Sequence, residues 1–433
     1  MSFQDEQMST GSSPSLVPSD CSSPDLPTSS SQSSLESLSE TNLFALEDAV
    51  HNDGYILVVG GLGYIGSHTC LELLNDGHNV IVVDSLSNSF ESTLVSIRAL
   101  ATKHWAAQGR RSPIIVLYKI DYRSASMRAV LGRYVLENDS NQLSSIRGVI
   151  HFAAYKSVEE STIRPLDYYL NNVAGLIDFL GLLEVFGIFS FVFSSSATVY
   201  GSTMNRGAPL HEEHLVHHET KVEGGSDETT HLVPGITGLT SPYGRTKYFC
   251  EAILADVAHA NPAWRMTALR YFNPVGCEPS GMLGESPRQT PTNLFPVIAQ
   301  VLTGKREVLS VFGTDWSSGD GTATRDFIHV VDLARGHLAA LGTAMSRPDH
   351  HAFRAYNLGT GTGSTVAQVV SCLEAASSQC IPVKHVGRRT GDVGYCVAVT
   401  ARASTELGWR TQHSLADCAR DTWHCLQMSQ ESA

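Results

Sequence analysis

Tyr243 and Lys247, four residues apart in the segment SPYGRTK, are the pair in this chain best suited to acid–base chemistry. On a helix, side chains at that spacing share one face. A tyrosine has a pKa of about 10 and is a poor base at neutral pH. A neighbouring ammonium favours the phenolate and lowers that pKa. The spacing is common by chance, so its weight depends on the elements around it.

The first of those elements is a glycine-rich turn after the apolar run Tyr55–Val59. A short apolar run bounded by glycines predicts a buried parallel strand. Gly60, Gly63 and Gly66 have the spacing that permits a tight turn, a close approach of the backbone to a diphosphate and close packing of the next helix. The positive end of that helix, predicted over 67–76, then faces the phosphates.

An acidic residue completes the dinucleotide pattern. A second predicted strand, Asn79–Val83, is followed by Asp84, which lies 18 residues after Gly66. A carboxylate there can accept hydrogen bonds from both hydroxyls of an adenosine ribose. It would repel a 2′-phosphate, so the pattern predicts NAD and not NADP.

A third strand supplies a hydroxyl beside the pair. The apolar run from Ser190 ends in Ser194, Ser195 and Ser196. A hydroxyl there can hydrogen-bond the reacting oxygen and share a proton with Tyr243. With the glycine turn, this arrangement indicates hydride chemistry at an alcohol carbon.

Strands and helices alternate after Asp84, which predicts an α/β fold with a doubly wound parallel (Rossmann) sheet and a smaller C-terminal α/β substrate domain. Ligands of such sheets bind beyond the carboxyl ends of the strands. Further strands are predicted over 114–118, 148–154, 190–194 and 266–272, and helices over 168–185 and 247–260.

The predicted organisation has three parts. Residues 1–52 are rich in Ser and Pro and predict a disordered tail. The other parts are an NAD-binding domain over 54–274, with a long polar loop at 202–239, and a substrate domain over 275–433, from which segments near 308–333 and 355–361 return to the first. The histidines of the loop suit a solvated segment better than a metal site, and no metal site is predicted.

Composition excludes several classes of function. The net charge is −13 without a long basic patch, which argues against nucleic-acid binding. No apolar run reaches about 18 residues, so no transmembrane helix is predicted. The nine cysteines show no CxxC spacing, and no signal peptide is visible. A cytoplasmic protein without disulfides is expected.

Ten motifs in one order carry a family resemblance, from VVGGLGYIGSHT at 58–69 through VIHFAAYKSVEES, FSSSATVYG, SPYGRTK and LRYFNPVG to RDFIHVVDLA, YNLGTG and RRTGD. Over about residues 54–425 the chain resembles the extended short-chain dehydrogenase/reductases and, within them, the UDP-glucose 4-epimerases. The resemblance implies reversible inversion at C4 of a UDP-sugar through a 4-keto intermediate, with bound NAD recycled. It also implies a homodimer, formed through helices near 94–107 and 168–186.

The resemblance assigns roles to individual residues. Catalysis is assigned to Tyr243, Lys247 and Ser196. Cofactor contacts are expected from Gly60, Gly63, Tyr64, Ile65, Gly66, Asp84, Asn88, Ser89, Asp121, Tyr122, Phe152, Ala153, Lys156, Asn172, Ser194, Tyr243, Lys247 and Tyr271. Substrate contacts are expected from Lys156, Ser196, Tyr243, Asn273, Asn293, Phe312, Arg325, Arg389, Asp392 and Cys396.

Cys396 bears on substrate choice. In the family, the residue four beyond the Asp of RRxGD lines the C2 side of the sugar, and a small residue there admits an N-acetyl group. Counting from Asp392 gives Cys396, whose neighbour Tyr395 would reverse the inference. Activity on UDP-N-acetylglucosamine and UDP-N-acetylgalactosamine is therefore expected.

Three alternatives remain open at this stage. A nucleotide-sugar 4,6-dehydratase or a decarboxylase would share the fold, but each requires an acidic residue beside Ser196, where Ala197 and Thr198 stand. A non-catalytic sensor of NAD and UDP-sugar would not require an intact set of Tyr243, Lys247 and Ser196.

Overall fold

The computed structural model describes residues 54–136, 144–223, 229–286, 288, 291–346, 351–389 and 392–431. The predicted tail over 1–52 lies outside these residues. No helix in the described part is long and apolar enough to cross a membrane.

The elements alternate along most of the chain. The strands are β1 (Tyr55–Val59), β2 (Asn79–Val83), β3 (Ile115–Tyr118), β4 (Ile146–His151), β5 (Ser190–Ser196), β6 (Thr220–Glu223), β7 (Thr229–Leu232), β8 (Arg265–Tyr271), β9 (Asn273–Val275), β10 (Leu309–Phe312), β11 (Thr324–His329), β12 (Phe353–Leu358), β13 (Gly363–Thr365), β14 (Val383–Val386) and β15 (Tyr395–Cys396). The α-helices are α1 (Tyr64–Asn75), α2 (Ser92–Ala106), α3 (Ser126–Gly132), α4 (Val158–Ile163), α5 (Pro165–Tyr168), α6 (Gly175–Val185), α7 (Pro242–Ala260), α8 (Leu294–Leu302), α9 (Val330–Ser346), α10 (Val366–Ser377), α11 (Ala401–Glu406) and α12 (Leu415–Glu431).

The main sheet has seven parallel strands in the order β12-β8-β5-β4-β1-β2-β3. Its central strands are apolar along their whole length because both faces are covered, and β1 is buried at all five positions. One core cluster lies on each face of the sheet. The predicted doubly wound fold is confirmed, and its strand order reverses between β1 and β4, where ligands of such sheets bind.

Helix α7 begins five residues before the position predicted for it. Ser241 is its N-cap, and the Ser241 hydroxyl accepts a hydrogen bond from the N–H of Gly244 at 3.1 Å. Pro242 occupies the first turn, where its missing N–H costs no hydrogen bond. Tyr243 therefore lies in the first turn of the helix, four residues before Lys247.

The helix predicted over 168–185 contains an irregularity. Tyr169–Ala174 forms a π-helical segment between α5 and α6. A π-turn widens the helix by one residue and changes which side chains face inward. Asn171 and Asn172 are both buried in this segment.

The sequence predicts a long polar loop over 202–239 and misses the secondary structure within it. β6 and β7 pair there as an antiparallel hairpin, with Thr220 opposite Leu232. Leu210 and Leu215 are buried in a small apolar cluster that also contains Cys396. Apolar anchors separated by polar residues do not produce a helical or strand periodicity, which explains the error.

The later part of the chain builds smaller sheets. β11 pairs with β9, β13 and β15, and β10 pairs with β14. A separate apolar cluster, which includes side chains of α8 and α10, packs beneath them. β12 instead joins the main sheet beside β8. The domain boundary near residue 275 remains a prediction.

Candidate active site

A cleft of about 660 Å³ opens at the carboxyl edge of the main sheet. Its size is typical of sites for small organic ligands. Tyr243, Lys247 and Ser196 line it, and so do all the predicted cofactor residues except Asn172. Among the predicted substrate residues, Asn273 and Asn293 also line it. The structure thus brings the predicted cofactor residues and the set of Tyr243, Lys247 and Ser196 into one cavity.

The glycine turn forms one wall of the cleft. Gly60 has φ of +80°, and a Cβ there would lie 2.8 Å from the backbone nitrogen of Ala153. A Cβ on Gly66 would lie 2.3 Å from the carbonyl oxygen of Gly60, so neither position tolerates a side chain. A Cβ on Gly63 would meet only that carbonyl, at 3.4 Å. The turn therefore presents bare backbone to the cleft at the start of α1, as a diphosphate requires.

Asp84 is held at the end of β2 by three hydrogen bonds. Its carboxylate accepts from the N–H of Leu62 at 2.9 Å, the N–H of Leu86 at 2.9 Å and the hydroxyl of Ser89 at 2.8 Å. Leu86 adopts a left-handed φ of 57° to make its contact. These bonds fix the carboxylate at the mouth of the cleft.

Asp121 and Tyr122 close the same end of the cleft. Burial raises the pKa of Tyr122, whose hydroxyl donates to the carbonyl of Asn171 at 3.0 Å. Hydrogen bonds from Arg123 lower the pKa of Asp121. Arg123 also lines the cleft and was not predicted, because a single arginine after a strand carries no motif.

The catalytic residues meet at the inner end of the cleft. Thr198 donates to the Ser196 hydroxyl oxygen through its N–H at 3.2 Å and its hydroxyl at 3.0 Å. Both bonds use that oxygen as acceptor, so the proton of Ser196 is available to another oxygen. Ser196 and Tyr243 line the same cleft, and the role assigned to Ser196 stays a prediction.

Burial acts on both titratable groups of this set. It raises the pKa of Tyr243 to about 12, and the hydrogen bond from Ser196 opposes that rise. It lowers the pKa of Lys247 to about 8. The lysine, only 3% exposed, donates to the carbonyl oxygen of Ser194 at 2.5 Å. A phenolate at Tyr243 would therefore require a nearby positive charge to offset its burial.

Asn172 does not line the cleft as predicted. It accepts from the N–H of Tyr155 at 2.9 Å, and its amide donates to the Tyr155 carbonyl and to the Thr246 hydroxyl, both at 3.0 Å. The π-turn directs its side chain to the loop after β4 and to α7. Asn172 therefore supports the cleft wall, and its neighbour Asn171 lines the cavity.

The remaining predicted substrate residues form a second group, separate from the described lining of the cleft. Arg325 pairs with Asp392 at 2.7 Å, and Arg389 lies 3.7 Å from the same carboxylate. The guanidinium of Arg389 stacks over Phe312, 4.3 Å from the ring centre. Arg325 is two residues from Phe327, which lines the cleft, so the two side chains share one face of β11. This group therefore borders the cavity.

Comparison with known proteins agrees with this geometry. Residues 56–359 match the model of the NAD dependent epimerase/dehydratase family. The chain belongs to this family. It is 40% identical to the UDP-glucose 4-epimerase of Dictyostelium discoideum over 371 residues. The aligned region covers 86% of this chain and 95% of that protein.

Two further comparisons agree with this family assignment. The bifunctional protein GAL10 of Pachysolen tannophilus is 44% identical over 370 residues, and the chain spans 48% of its length. The crystal structure of UDP-glucose-4-epimerase from Stenotrophomonas maltophila, with bound NAD and formylated UDP-arabinopyranose, has a TM-score of 0.73 and 38% identity. That likeness covers 88% of this chain and all (100%) of the crystallised one.

Residues 202–239, called the hairpin region below, contact a buried ion pair formed by Arg270 and Glu251. Arg270 on β8 donates to the Glu251 carboxylate at 3.1 Å and 2.7 Å, and the Ser195 hydroxyl donates to the same group. His217 lies 3.0 Å from it and is itself buried, so a solvated position for this histidine is wrong. Arg270 also donates to the hydroxyl of Tyr200 at 3.1 Å. The network joins α7, β5, β8 and the hairpin region.

Glu251 is charged within this network. Burial alone would raise its pKa, but Arg270 and His217 hold it well below the ordinary value. A carboxylate with a depressed pKa stabilises the fold above its unfolded value of about 4.3 and loses that contribution as the pH falls through the folded value. Glu251 carries no sequence motif and is identified by its burial and pairing, whereas Arg270 lies within the motif LRYFNPVG.

We predict that Glu251→Gln lowers the free energy of unfolding by about 3–5 kcal/mol at pH 7, because Arg270 keeps a buried and unpaired charge. Denaturant unfolding measures this. The difference from the unmodified chain should shrink as the pH falls below about 5, where Glu251 begins to lose its advantage.

Glu307→Gln is the matched control, because Glu307 is exposed. It should change stability by less than about 0.5 kcal/mol. Equal stability of the two variants would contradict a structural role for the ion pair.

Proposed function

We propose that this chain interconverts UDP-glucose and UDP-galactose by inverting C4, with NAD bound throughout. The observation that carries this is the meeting of Tyr243, Lys247 and Ser196 in the same cleft as the glycine turn and Asp84. NAD, held at the glycine turn and Asp84, would supply hydride transfer at C4 of the sugar. The bare glycine backbone and the fixed Asp84 carboxylate fit its diphosphate and adenosine ribose.

The chain's own residues handle the proton. Tyr243, as phenolate, takes the proton of the sugar 4-hydroxyl and gives it back after C4 has been inverted. Ser196 donates to the phenolate oxygen and bridges it to sugar O4. Lys247 lies one helical turn away, and its charge favours the phenolate against the cost of burial. Lys247 is buried and Tyr243 and Ser196 are partly buried, which limits access of water to the keto sugar.

The second group of residues is proposed to hold the uridine diphosphate. Arg325 and Arg389 suit a diphosphate because guanidinium groups form paired hydrogen bonds with phosphate oxygens. Asp392, which now pairs with both, would accept from uridine ribose. Phe312 would pack nearby, and Asn273 and Asn293 would bond the diphosphate or sugar from the cleft. Lys156, 3.4 Å from Glu285 at the cleft wall, is proposed to contact both ligands.

Strand geometry favours Cys396 over Tyr395 as the residue facing the sugar. In β15, Cys396 pairs with Arg325 and Tyr395 pairs with Thr324. Paired residues project to the same face, and Arg325 shares its face with cleft-lining Phe327. On this basis Cys396 is proposed to face the sugar, with a small side chain that would leave room for an N-acetyl group. We propose that the chain also acts on the N-acetyl sugars.

The alternative functions fit the residues of this site less well. A dehydratase or decarboxylase would require an acid beside Ser196, but Thr198 occupies that place and bonds Ser196 directly. A sensor would not require the buried catalytic lysine. The inversion reaction uses each of these groups.

We also propose a homodimer and a cytoplasmic location. Ile163, Leu166 and Leu170 are 74%, 73% and 62% exposed, and Val95 on α2 is 67% exposed. Apolar side chains this exposed are typical of a protein interface. A reducing compartment agrees with the free thiols of the described cysteines.

The first prediction of this proposal is that purified protein converts UDP-galactose to UDP-glucose with no NAD added. Tyr243→Phe should lower the rate by about 10²–10⁴-fold, because the base is removed. Chromatography of the sugars measures both. Tyr248→Phe on the same helix is the control, since its ring contacts His217 outside the cleft. Normal turnover by Tyr243→Phe would refute the assigned base.

A second prediction concerns the sugar. Cys396→Tyr should reduce turnover of UDP-N-acetylgalactosamine by about tenfold or more while keeping turnover of UDP-galactose, because the ring fills the space of the N-acetyl group. Cys396→Ala should keep both activities. If the unmodified chain were inactive on the N-acetyl sugar, Cys396 would not admit an N-acetyl group and the proposal would be wrong.

A third prediction concerns assembly. Leu170→Asp should convert a dimer into a monomer, because a charge placed in an apolar interface is not solvated. Light scattering after gel filtration measures the mass. Val233→Asp, at a position 82% exposed in the hairpin region, should leave the dimer intact. If Leu170→Asp left the mass unchanged, the dimer interface would have to lie elsewhere on the protein.

A further inference from the structure

Two cysteines from distant parts of the chain lie together behind one wall of the cleft. Cys277 follows β9, and Cys425 lies on α12. Both sulfurs lie against Gly284, because a Cβ on that glycine would be 2.8 Å from Sγ of Cys277 and 2.6 Å from Sγ of Cys425. The separation of the two sulfurs therefore cannot exceed the sum of these two distances. Both thiols are free.

The glycine at position 284 leaves the space beside the two sulfurs empty. A side chain there would lie closer to both sulfurs than van der Waals contact permits. A disulfide requires the sulfurs to approach to about 2.05 Å. A change of side-chain rotamer in Cys277 or Cys425 carries its sulfur into the empty space, and staggered rotamers offer such a movement without strain. The two thiols are therefore placed to form a bond.

The backbone on each side of Cys277 contacts the cleft. The carbonyl of Gly276 accepts a hydrogen bond from the hydroxyl of Tyr64 at 2.6 Å, and Tyr64 lines the cleft beside the glycine turn. Gly284 lines the cleft itself, as does the next residue, Glu285. Neither cysteine is among the described residues that line the cavity. A movement of the thiols therefore reaches the cleft through residues that touch it.

We propose that Cys277 and Cys425 are a redox-sensitive pair whose disulfide distorts this wall of the cleft and slows turnover. The bond fixes Cys277 to α12 and draws the two sulfurs together beside Gly284. The adjacent carbonyl of Gly276 then leaves its position opposite the Tyr64 hydroxyl. The effect on turnover rests on the proposed function, whereas formation of the bond does not.

The oxidant is a peroxide. Cys425 is partly exposed and Cys277 is only 5% exposed, so Cys425 is oxidised first. Its thiol and hydrogen peroxide give a sulfenic acid and one water. The sulfur of Cys277 then attacks the sulfur of Cys425, which forms the S–S bond and releases the sulfenic oxygen as a second water. The protein loses two hydrogens and two electrons to the peroxide, and a dithiol returns them by exchange.

The first measurement detects the bond itself in protein treated with hydrogen peroxide. Trypsin, which cleaves after Lys and Arg, places Cys277 in the peptide 271–288 and Cys425 in the peptide 421–433, each as the only cysteine of its peptide. We expect one cross-linked species of these two peptides, which dithiothreitol separates. Its absence from the oxidised chain would overturn the proposal.

Gly284→Ala tests the geometry by the same peptide measurement. The added Cβ would lie against both sulfurs and hold them apart, so the cross-linked species should fall by about tenfold or more. An equal yield in this variant would contradict the assigned geometry. If Gly284→Ala does not fold, the unmodified chain and the cysteine variants below decide the matter.

The second measurement is turnover of UDP-galactose by the same samples. Oxidation should lower kcat by about tenfold or more, because small displacements at a binding wall have effects of this order, and dithiothreitol should restore it. Cys425→Ser should keep its activity before and after peroxide. Cys380→Ser, at an exposed position, is the matched control and should lose activity on oxidation as the unmodified chain does.

Full activity of the cross-linked chain would overturn the proposal, and so would an equal loss of activity in Cys425→Ser and the unmodified chain. Inactivity of the reduced, unmodified chain would instead refute the proposed function. The peptide measurement does not depend on turnover, so the two failures are distinguishable.

Discussion

The ion pair of Glu251 and Arg270 is the interaction on which the catalytic geometry depends. Glu251 lies one turn after Lys247 on α7, and Arg270 lies beside Tyr271 on β8. Two buried charges cannot separate without a large cost in solvation, so the pair fixes the helix against the sheet. Ser195, adjacent to Ser196, bonds the same carboxylate. The position of the base relative to its hydroxyl partner is therefore set by groups that do not touch substrate.

The cleft balances burial against charge. Burial disfavours both the phenolate of Tyr243 and the ammonium of Lys247, whereas Ser196 favours the phenolate and the charge of Glu251 favours the ammonium. Hydrogen bonds from Thr198 to Ser196 use the Ser196 oxygen as acceptor and leave its proton available. A site of this kind is ordered before substrate arrives, so little reorganisation accompanies proton transfer.

The sequence predicted those features that repeat at fixed spacing or follow strand ends. The order of the parallel strands, the glycine turn, Asp84 and the set of Tyr243, Lys247 and Ser196 all belong to that class. The π-turn that redirects Asn172, the hairpin after residue 219 and the burial of His217 do not. Each is decided by packing between segments far apart in the chain, such as His217 against Glu251, and local patterns carry no record of such contacts.

The hairpin region is secured at its base. The N–H of Ser202 donates to the carbonyl of Thr237 at 2.9 Å, that of Gly235 donates to Val216 at 3.2 Å, and Leu210 pairs with Ala398. Entropy of loop closure grows only with the logarithm of length, and it is counted from the fixed ends. Residues added to or removed from the hairpin therefore change the stability of the protein little and leave the residues that line the cleft in place. The β6–β7 hairpin can vary in this way, whereas His217 and the Leu215 carbonyl must keep their contacts with Glu251 and Arg270.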